Sequence, residues 1–130
     1  MGTDINVIVE YRMKNSEHFE RFNYEPPCLD RNYLMFSIMA DVRTGKEGKA
    51  MFEPRGFPLD RTPESYSAYS GFERDDFAVS WLSEPEYHQV LDGYQCAEGK
   101  LDFDYAVLGD LLRSLISNGA AAARIVFWFD

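Results

Sequence analysis

Asp4-Ile5-Asn6-Val7-Ile8-Val9-Glu10-Tyr11-Arg12, near the start of the chain, and Arg124-Ile125-Val126-Phe127-Trp128-Phe129, near its end, decide the fold. In the first stretch Ile5, Val7, Val9 and Tyr11 fall on one face at period two, opposed by Asn6, Ile8 and Glu10. That alternation predicts a β-strand with one buried face. The second stretch is apolar at almost every position, the pattern of a strand buried on both faces inside a sheet. These are the two clearest strand signals in the chain, so the reading puts both termini in one sheet. If the strands run antiparallel, Asp4 comes next to Asp130 and a carboxylate-lined spot forms at a sheet edge. If they run parallel, the two lie roughly 20 Å or more apart at about 3.3 Å per residue, and the spot does not exist.

Between the two strands the pattern is mainly helical. Pro26-Pro27 forbids helix around residues 13–28, leaving a short strand or ordered loop near Phe19 to Tyr24. Asp30 reads as an N-cap. Behind it Met35, Ile38, Met39 and Val42 share a helical stripe, and Gly45 stands where a left-handed residue would stop the helix. The run from Thr44 to Arg61, with three Gly and two Pro, predicts an irregular loop of the length that small domains keep for function. Thr62-Pro63-Glu64 opens a helix that Gly71 ends, and Phe77 to Leu82 fits a strand. Ser83-Glu84-Pro85-Glu86 is a capping box for a helix to about Leu91. Tyr105, Leu108, Leu111, Leu112, Leu115 and Ile116 then line a last helix, which Asn118-Gly119 closes, and Ala120–Ala123 connects it to the final strand. The order defines one small α+β domain over residues 1–130, with the N- and C-terminal strands in one sheet and three to four helices packed on it.

Length and composition agree with this. The chain has 130 residues, 45% apolar and 27% charged, which suits one domain with its own core. No apolar run reaches the roughly 20 residues that cross a bilayer, and no basic-then-apolar leader opens the sequence, so no membrane role is expected. Cys28 and Cys96 lie far apart and His18 and His88 form no ligand pairs with them, so the reading expects free thiols in a reducing, cytoplasmic compartment. It expects no metal site, no cofactor and no catalytic residue set.

The net charge of −9 is unevenly placed. Residues 66–130 hold eleven acids and four bases, a net −7. Glu73, Asp75, Asp76, Glu84, Glu86, Asp92, Glu98, Asp102, Asp104 and Asp110 are opposed between Glu73 and Asp110 only by Arg74 and Lys100. Such a segment repels nucleic acid and anionic lipid and attracts basic surfaces, so Glu73, Asp75, Asp76, Glu84, Glu86, Asp92, Glu98 and Asp102 are the candidate partner-binding residues. No basic stripe exists for direct nucleic-acid contact. The alternative is an ordinary solvated acidic face. Aromatic residues, 15% of the chain, suit interface anchors and are compatible with a homodimer.

A second set of candidates forms a small-ligand alternative: Asp4, Arg31, Arg43, Arg55, Trp81 and Asp130 around one pocket. Arg31, Arg43 and Arg55 fall at helix ends and in a Pro-Arg-Gly loop, where bidentate recognition of an anion is geometrically easy. Against this, Asp30, Asp41 and Glu53 each lie within two residues of one of them and would neutralise them.

Several motifs resemble a family of small uncharacterised proteins encoded by tailed phages and prophages. They are Met1-Gly2-Thr3-Asp4-Ile5 with Val9-Glu10-Tyr11-Arg12, Asp30-Arg31-Asn32-Tyr33 leading to Phe36, Ala40-Asp41-Val42-Arg43, Pro54-Arg55-Gly56-Phe57-Pro58, Ser80-Trp81-Leu82, and the closing Arg124-Ile125-Val126-Phe127-Trp128-Phe129-Asp130. The resemblance spans nearly the whole chain. It implies phage origin and a compact domain acting inside the host cell. Family members commonly carry His where this chain has Asn6, and His-Ser where it has Phe77-Ala78, so a metal constellation conceivable in the family lacks its imidazoles here. The expectation that follows is an acidic binding protein aimed at the basic surface of a host protein or nucleoprotein complex, inhibiting a defence system of CRISPR or other type. The alternative is a small-ligand-binding or degenerate metal-dependent hydrolase-like protein.

Overall fold

Four strands form one antiparallel sheet in a computed structural model that describes residues 2–22, 29–45, 50–60 and 77–130. In chain order the elements are β1 (Ile5–Met13), β2 (Glu20–Arg21), α1 (Tyr33–Ala40), β3 (Phe77–Ser83), α2 (Glu84–Glu98), α3 (Phe103–Ser117) and β4 (Ala120–Phe129). The sheet order is β2-β1-β4-β3, so the two terminal strands occupy its centre. They run antiparallel with Ile5 opposite Phe129, Val7 opposite Phe127 and Glu10 opposite Arg124. Beyond the ladder, Asp4 and Asp130 exchange both backbone hydrogen bonds, at 3.0 and 3.1 Å. The α+β architecture with both termini in one sheet is therefore as the sequence predicts.

The central position of β1 changes its burial. Ile5, Val7 and Val9 join the core, as the alternation requires, but Ile8 and Glu10 on the opposite face are also fully buried. Cross-strand partners share a face, so that second face continues through Trp128, Val126 and Arg124 of β4 and Trp81 of β3. Strand β4 also begins earlier than its apolar run suggests. Ala120, Ala122 and Ala123 pair with Met13, Arg12 and Tyr11, so the alanines read as a connector are part of the ladder.

The three helices among the described residues contribute to the core on the first face, through Met35, Phe36 and Met39, through Tyr87, Val90 and Leu91, and through Tyr105, Leu108 and Leu112. Each such side chain adds roughly 1.5–3 kcal/mol by leaving water. Phe36 meets Phe129 edge-on at 4.9 Å between ring centroids. The helix ends explain the boundaries. Asn32, not Asp30, caps α1: its Oδ1 accepts the Met35 N–H at 3.0 Å. The stop comes at Asp41 instead of Gly45, with φ 56° and its N–H bonded to the Ser37 carbonyl. The capping box at Ser83 is present in both halves, but α2 runs past Leu91 to Glu98 and ends at Gly99 with φ 82°. The helix predicted from Thr62 to Gly71 lies outside the described residues.

Asp41 holds a left-handed conformation that costs an L-residue roughly 1–2 kcal/mol, less for Asp than for a branched side chain. Because Asp41 is exposed, Asp41→Gly should keep or raise the denaturant midpoint. Asp41→Val should lower stability by about 1–2 kcal/mol relative to Asp41→Gly; equal midpoints for the two variants would contradict this cap assignment.

Candidate functional sites

On the second face of the sheet a buried charge pair organises a cleft. The Arg124 Nε donates to Glu10 Oε1 at 2.7 Å, and the two residues are 5% and 0% exposed. The same guanidinium donates through Nη1 to Asp60 Oδ1 at 2.8 Å and through Nη2 to the Asp60 carbonyl at 3.2 Å. Its face lies 3.6 Å from the centroid of the Phe19 ring. Burial pushes the Asp60 carboxyl up, but hydrogen bonds and charge from Arg124, with its own backbone N–H and Arg12, outweigh that and hold it below the usual range. Arg124 thus carries two carboxylates and an aromatic ring at once.

Arg55 and residues 57–60 form the outer wall. The Gly56 N–H donates to the Val79 carbonyl at 2.8 Å and the Arg55 N–H to Ser80 Oγ at 3.0 Å, tying this segment to edge strand β3. The Arg55 guanidinium is held between Phe52 and Trp81, 4.9 and 4.8 Å from their centroids. It grips Glu86 with both terminal nitrogens, one of them 2.8 Å from Oε1. Glu86 also accepts from the backbone N–H and the hydroxyl of Ser83. The Arg55 hydrogen bonds, opposed by burial and assisted by Ser83, take the Glu86 carboxyl down to about 2. The resulting cleft measures about 680 Å³ and is lined chiefly by Phe19, Phe57, Leu59, Trp81, Ala122 and Arg124.

A second feature sits at the start of α3. Asn32 Nδ2 donates to Asp102 Oδ2 at 2.7 Å, and the Asp30 N–H donates to Asp104 Oδ2 at 2.7 Å. Tyr105 donates its hydroxyl to the Asp30 carbonyl at 2.8 Å. Burial first, and then the charges of Asp104, Asp102 and Asp30, push that hydroxyl up. The carboxylates of Asp102 and Asp104 are therefore bonded to the Asp30–Asn32 segment at this helix end, and Phe103, between them in sequence, is 84% exposed. Val107, one turn on, is 47% exposed.

The residues proposed from sequence divide between places. Asp4 is bound by Arg31, Nε to Oδ1 at 2.6 Å, and this hydrogen bond holds its carboxyl below the usual range. Arg43 donates to Thr3 Oγ1 at 3.0 Å and lies over the Tyr33 ring. With Asp130 these three stand at one end of the sheet. Arg55 and Trp81 stand elsewhere: Trp81 opposes Val126, four residues before Asp130, roughly 13 Å along the strand at about 3.3 Å per residue. Arg31 and Arg55 find their carboxylates far along the chain, in Asp4 and Glu86, not in neighbouring Asp30 and Glu53.

Among the acids, Glu84 lies 3.5 Å from His88 Nδ1 and 4.0 Å from Arg113, and Glu86 belongs to Arg55. Asp92, Glu98 and Asp110 are exposed, and Asp102 is held by Asn32. Glu73, Asp75 and Asp76 lie outside the described residues. Glu10, Phe19, Asp60, Asp30 and Phe103 are additions from the structure. The first was open to detection: pairing Asp4 with Asp130 antiparallel sets Glu10 opposite Arg124.

Among the described residues no group of three His, Cys, Asp or Glu could hold a metal ion, and no helix is long and apolar enough to cross a membrane. Scans of the chain against protein-family models, curated proteins and solved structures find no match.

Two outcomes follow for the charge pairs. Arg124→Ala strands a buried Glu10 and should cost about 3–5 kcal/mol by chemical denaturation, while Asp60→Asn, at a carboxylate 58% exposed, should cost under about 1 kcal/mol. Glu86 is depressed in the folded state, so its contribution is complete above the ordinary value of 4.5 and disappears as pH falls toward about 2. Stability measured from pH 6 to pH 2 should therefore fall more steeply in the wild type than in Glu86→Gln. Parallel profiles would remove the Arg55–Glu86 tie from the account.

Proposed function

We propose that this chain is a binding protein that sets the acidic end of its α2–α3 hairpin against a basic surface of a nucleic-acid-handling complex. In this reading it is a phage-encoded inhibitor of a host defence system, with CRISPR-type effectors as the first candidates. One observation carries the docking half: Phe103 is 84% exposed between Asp102 and Asp104, with Asp30 bonded alongside. A phenyl ring left in water at the first residue of a helix contributes little to the fold. Flanked in sequence by Asp102 and Asp104 and followed by exposed Val107 and Asp110, it has the makeup of an interface anchor for an apolar pocket rimmed by Lys and Arg.

Charge supports the choice of partner. From Phe77 to Leu112 the chain holds seven acids and one base, Lys100. Of the seven, Glu84 and Glu86 are met by arginines, while Asp102 and Asp104 bond uncharged donors and keep their charge available at longer range. A channel that holds nucleic acid presents the opposite potential, so encounter is accelerated and nucleic acid is excluded by competition. The resemblance to phage-encoded proteins supports a host complex as the target.

Adding the purified protein to a CRISPR-type effector loaded with its guide should inhibit target cleavage. Phe103→Ser should weaken inhibition about tenfold or more with no loss of stability, and raising salt from about 0.1 to about 0.4 M should weaken it further. Inhibition unmoved by the variant and by salt would overturn the docking face. No inhibition across a panel of effectors would overturn the defence assignment.

A further inference from the structure

The cleft on the opposite side of the sheet has no part in that docking reading, and its chemistry differs from what its arginines suggest. Among the described residues, the two guanidiniums that line it, those of Arg55 and Arg124, already have carboxylates, while Arg12 beside Phe19 donates through Nη1 to the Ser16 carbonyl. Arg55 is bound at both terminal nitrogens by Glu86, and Arg124 is divided between Glu10 and Asp60. The Ser83 hydroxyl donates to Glu86 and accepts the Glu86 N–H. An anion entering the cleft would have to displace a carboxylate from a pair that the fold supplies, one of them fully buried. The charged groups act as wall, and what they leave facing the space is ring and aliphatic surface from Phe19, Phe57, Leu59, Trp81 and Ala122.

From this we infer that the cleft is a binding site for an uncharged, planar aromatic small molecule. A volume of about 680 Å³ lies within the roughly 300–1,000 Å³ usual for small-ligand sites. Trp81 gives a flat wall already stiffened by the Arg55 guanidinium stacked 4.8 Å from its centroid, and Phe19 is fixed in the same way by Arg124. Pre-stiffened rings lose little freedom when a third ring lies against them. Leu59, fully exposed, stands at the rim as apolar surface that gains by being covered. Asp60, the carboxylate in the described lining, is 58% exposed and accepts from Arg124 through Oδ1, so a ring bearing one N–H or O–H donor is favoured over a bare hydrocarbon.

Indole is a suitable probe, with indole-3-carboxylate and inorganic phosphate as charged comparisons. Titrated into the full chain and followed by amide and indole N–H chemical shifts, indole should saturate with a dissociation constant on the order of 1 mM, as expected for so small a ligand. The shifts should centre on Trp81, Ala122 and Arg124, and indole-3-carboxylate should bind at least about fivefold more weakly, since among the described lining residues both guanidiniums are already paired. Leu59→Ser removes only exposed surface and should weaken indole about five- to tenfold without changing stability. Ala122→Phe should fill the cleft and abolish binding. Preference for the carboxylate or for phosphate over indole, or no saturable shift at these residues, would overturn the inference, whatever Phe103→Ser does to docking at the far side.

Discussion

The Glu10–Arg124 pair, set directly across the two central strands, is the constraint from which the second face of the sheet is organised. Two unit charges removed from water cost several kcal/mol each, and their attraction roughly offsets that cost, so such a pair adds little net stability over apolar residues of the same size. Its effect is on register. Sliding β4 by one residue would move Arg124 to the helix-covered face and leave Glu10 buried alone. The same slip would turn Phe127 and Phe129 out of the core. Polar and apolar patterning therefore select one alignment, and Asp4 and Asp130 are brought together by it.

From that pair the cleft is built outward by successive ties. Arg124 holds Asp60, a few residues beyond Arg55 and Gly56, which are bonded to β3. Arg55 then reaches Glu86, which also caps α2 through Ser83. A single chain of contacts runs from a buried strand pair to a helix terminus. Sequence alone suggests that arginines near helix ends and loops wait for an anion. Here the fold supplies the anions, drawn from 27 and 31 residues away for Arg31 and Arg55. An arginine is an anion receptor only after its internal acceptors have been counted.

How much of this is legible in sequence depends on whether a feature is local. The capping box Ser83–Glu86 is a four-residue signal and appears as read. The termini pair because period-two alternation and a continuous apolar run are each strong over a few residues. The ends of α1 escape because Asp30, Asn32, Asp41 and Gly45 are all acceptable boundary residues, and the choice falls to tertiary contacts: Asn32 also reaches Tyr94 and Asp102. Helix α2 continues past Leu91 through Asp92-Gly93, locally a stop signal, because Tyr94 is buried one turn later. Ala120–Ala123 has little strand preference of its own and is recruited by Tyr11, Arg12 and Met13 across the ladder. The acidic site is legible only in part, since Asp30 joins Asp102 and Asp104 from more than seventy residues away.

The two surfaces are joined by α2, fifteen residues and about 22 Å long. Its N-terminus is capped by residues that wall the cleft, and the loop after its C-terminus leads to Asp102 and Phe103. Continuity of this kind does not make one surface responsive to the other. Coupling requires an element with two arrangements that both sites bias, and α2 is held in one arrangement at several points: the capping box, the Arg55 grip, and burial of Tyr87, Val90 and Leu91. A ring entering the cleft would meet charges already paired and rings already stacked, so it would have little to rearrange. The sheet thus separates two independent surfaces: one apolar with its charges spent internally, the other acidic with its charge and one phenyl ring turned outward. The contrast follows from where the arginines are, because Arg55 and Arg124 neutralise the first surface, whereas the described hydrogen-bond partners of Asp102 and Asp104 at the helix end around Phe103 are uncharged.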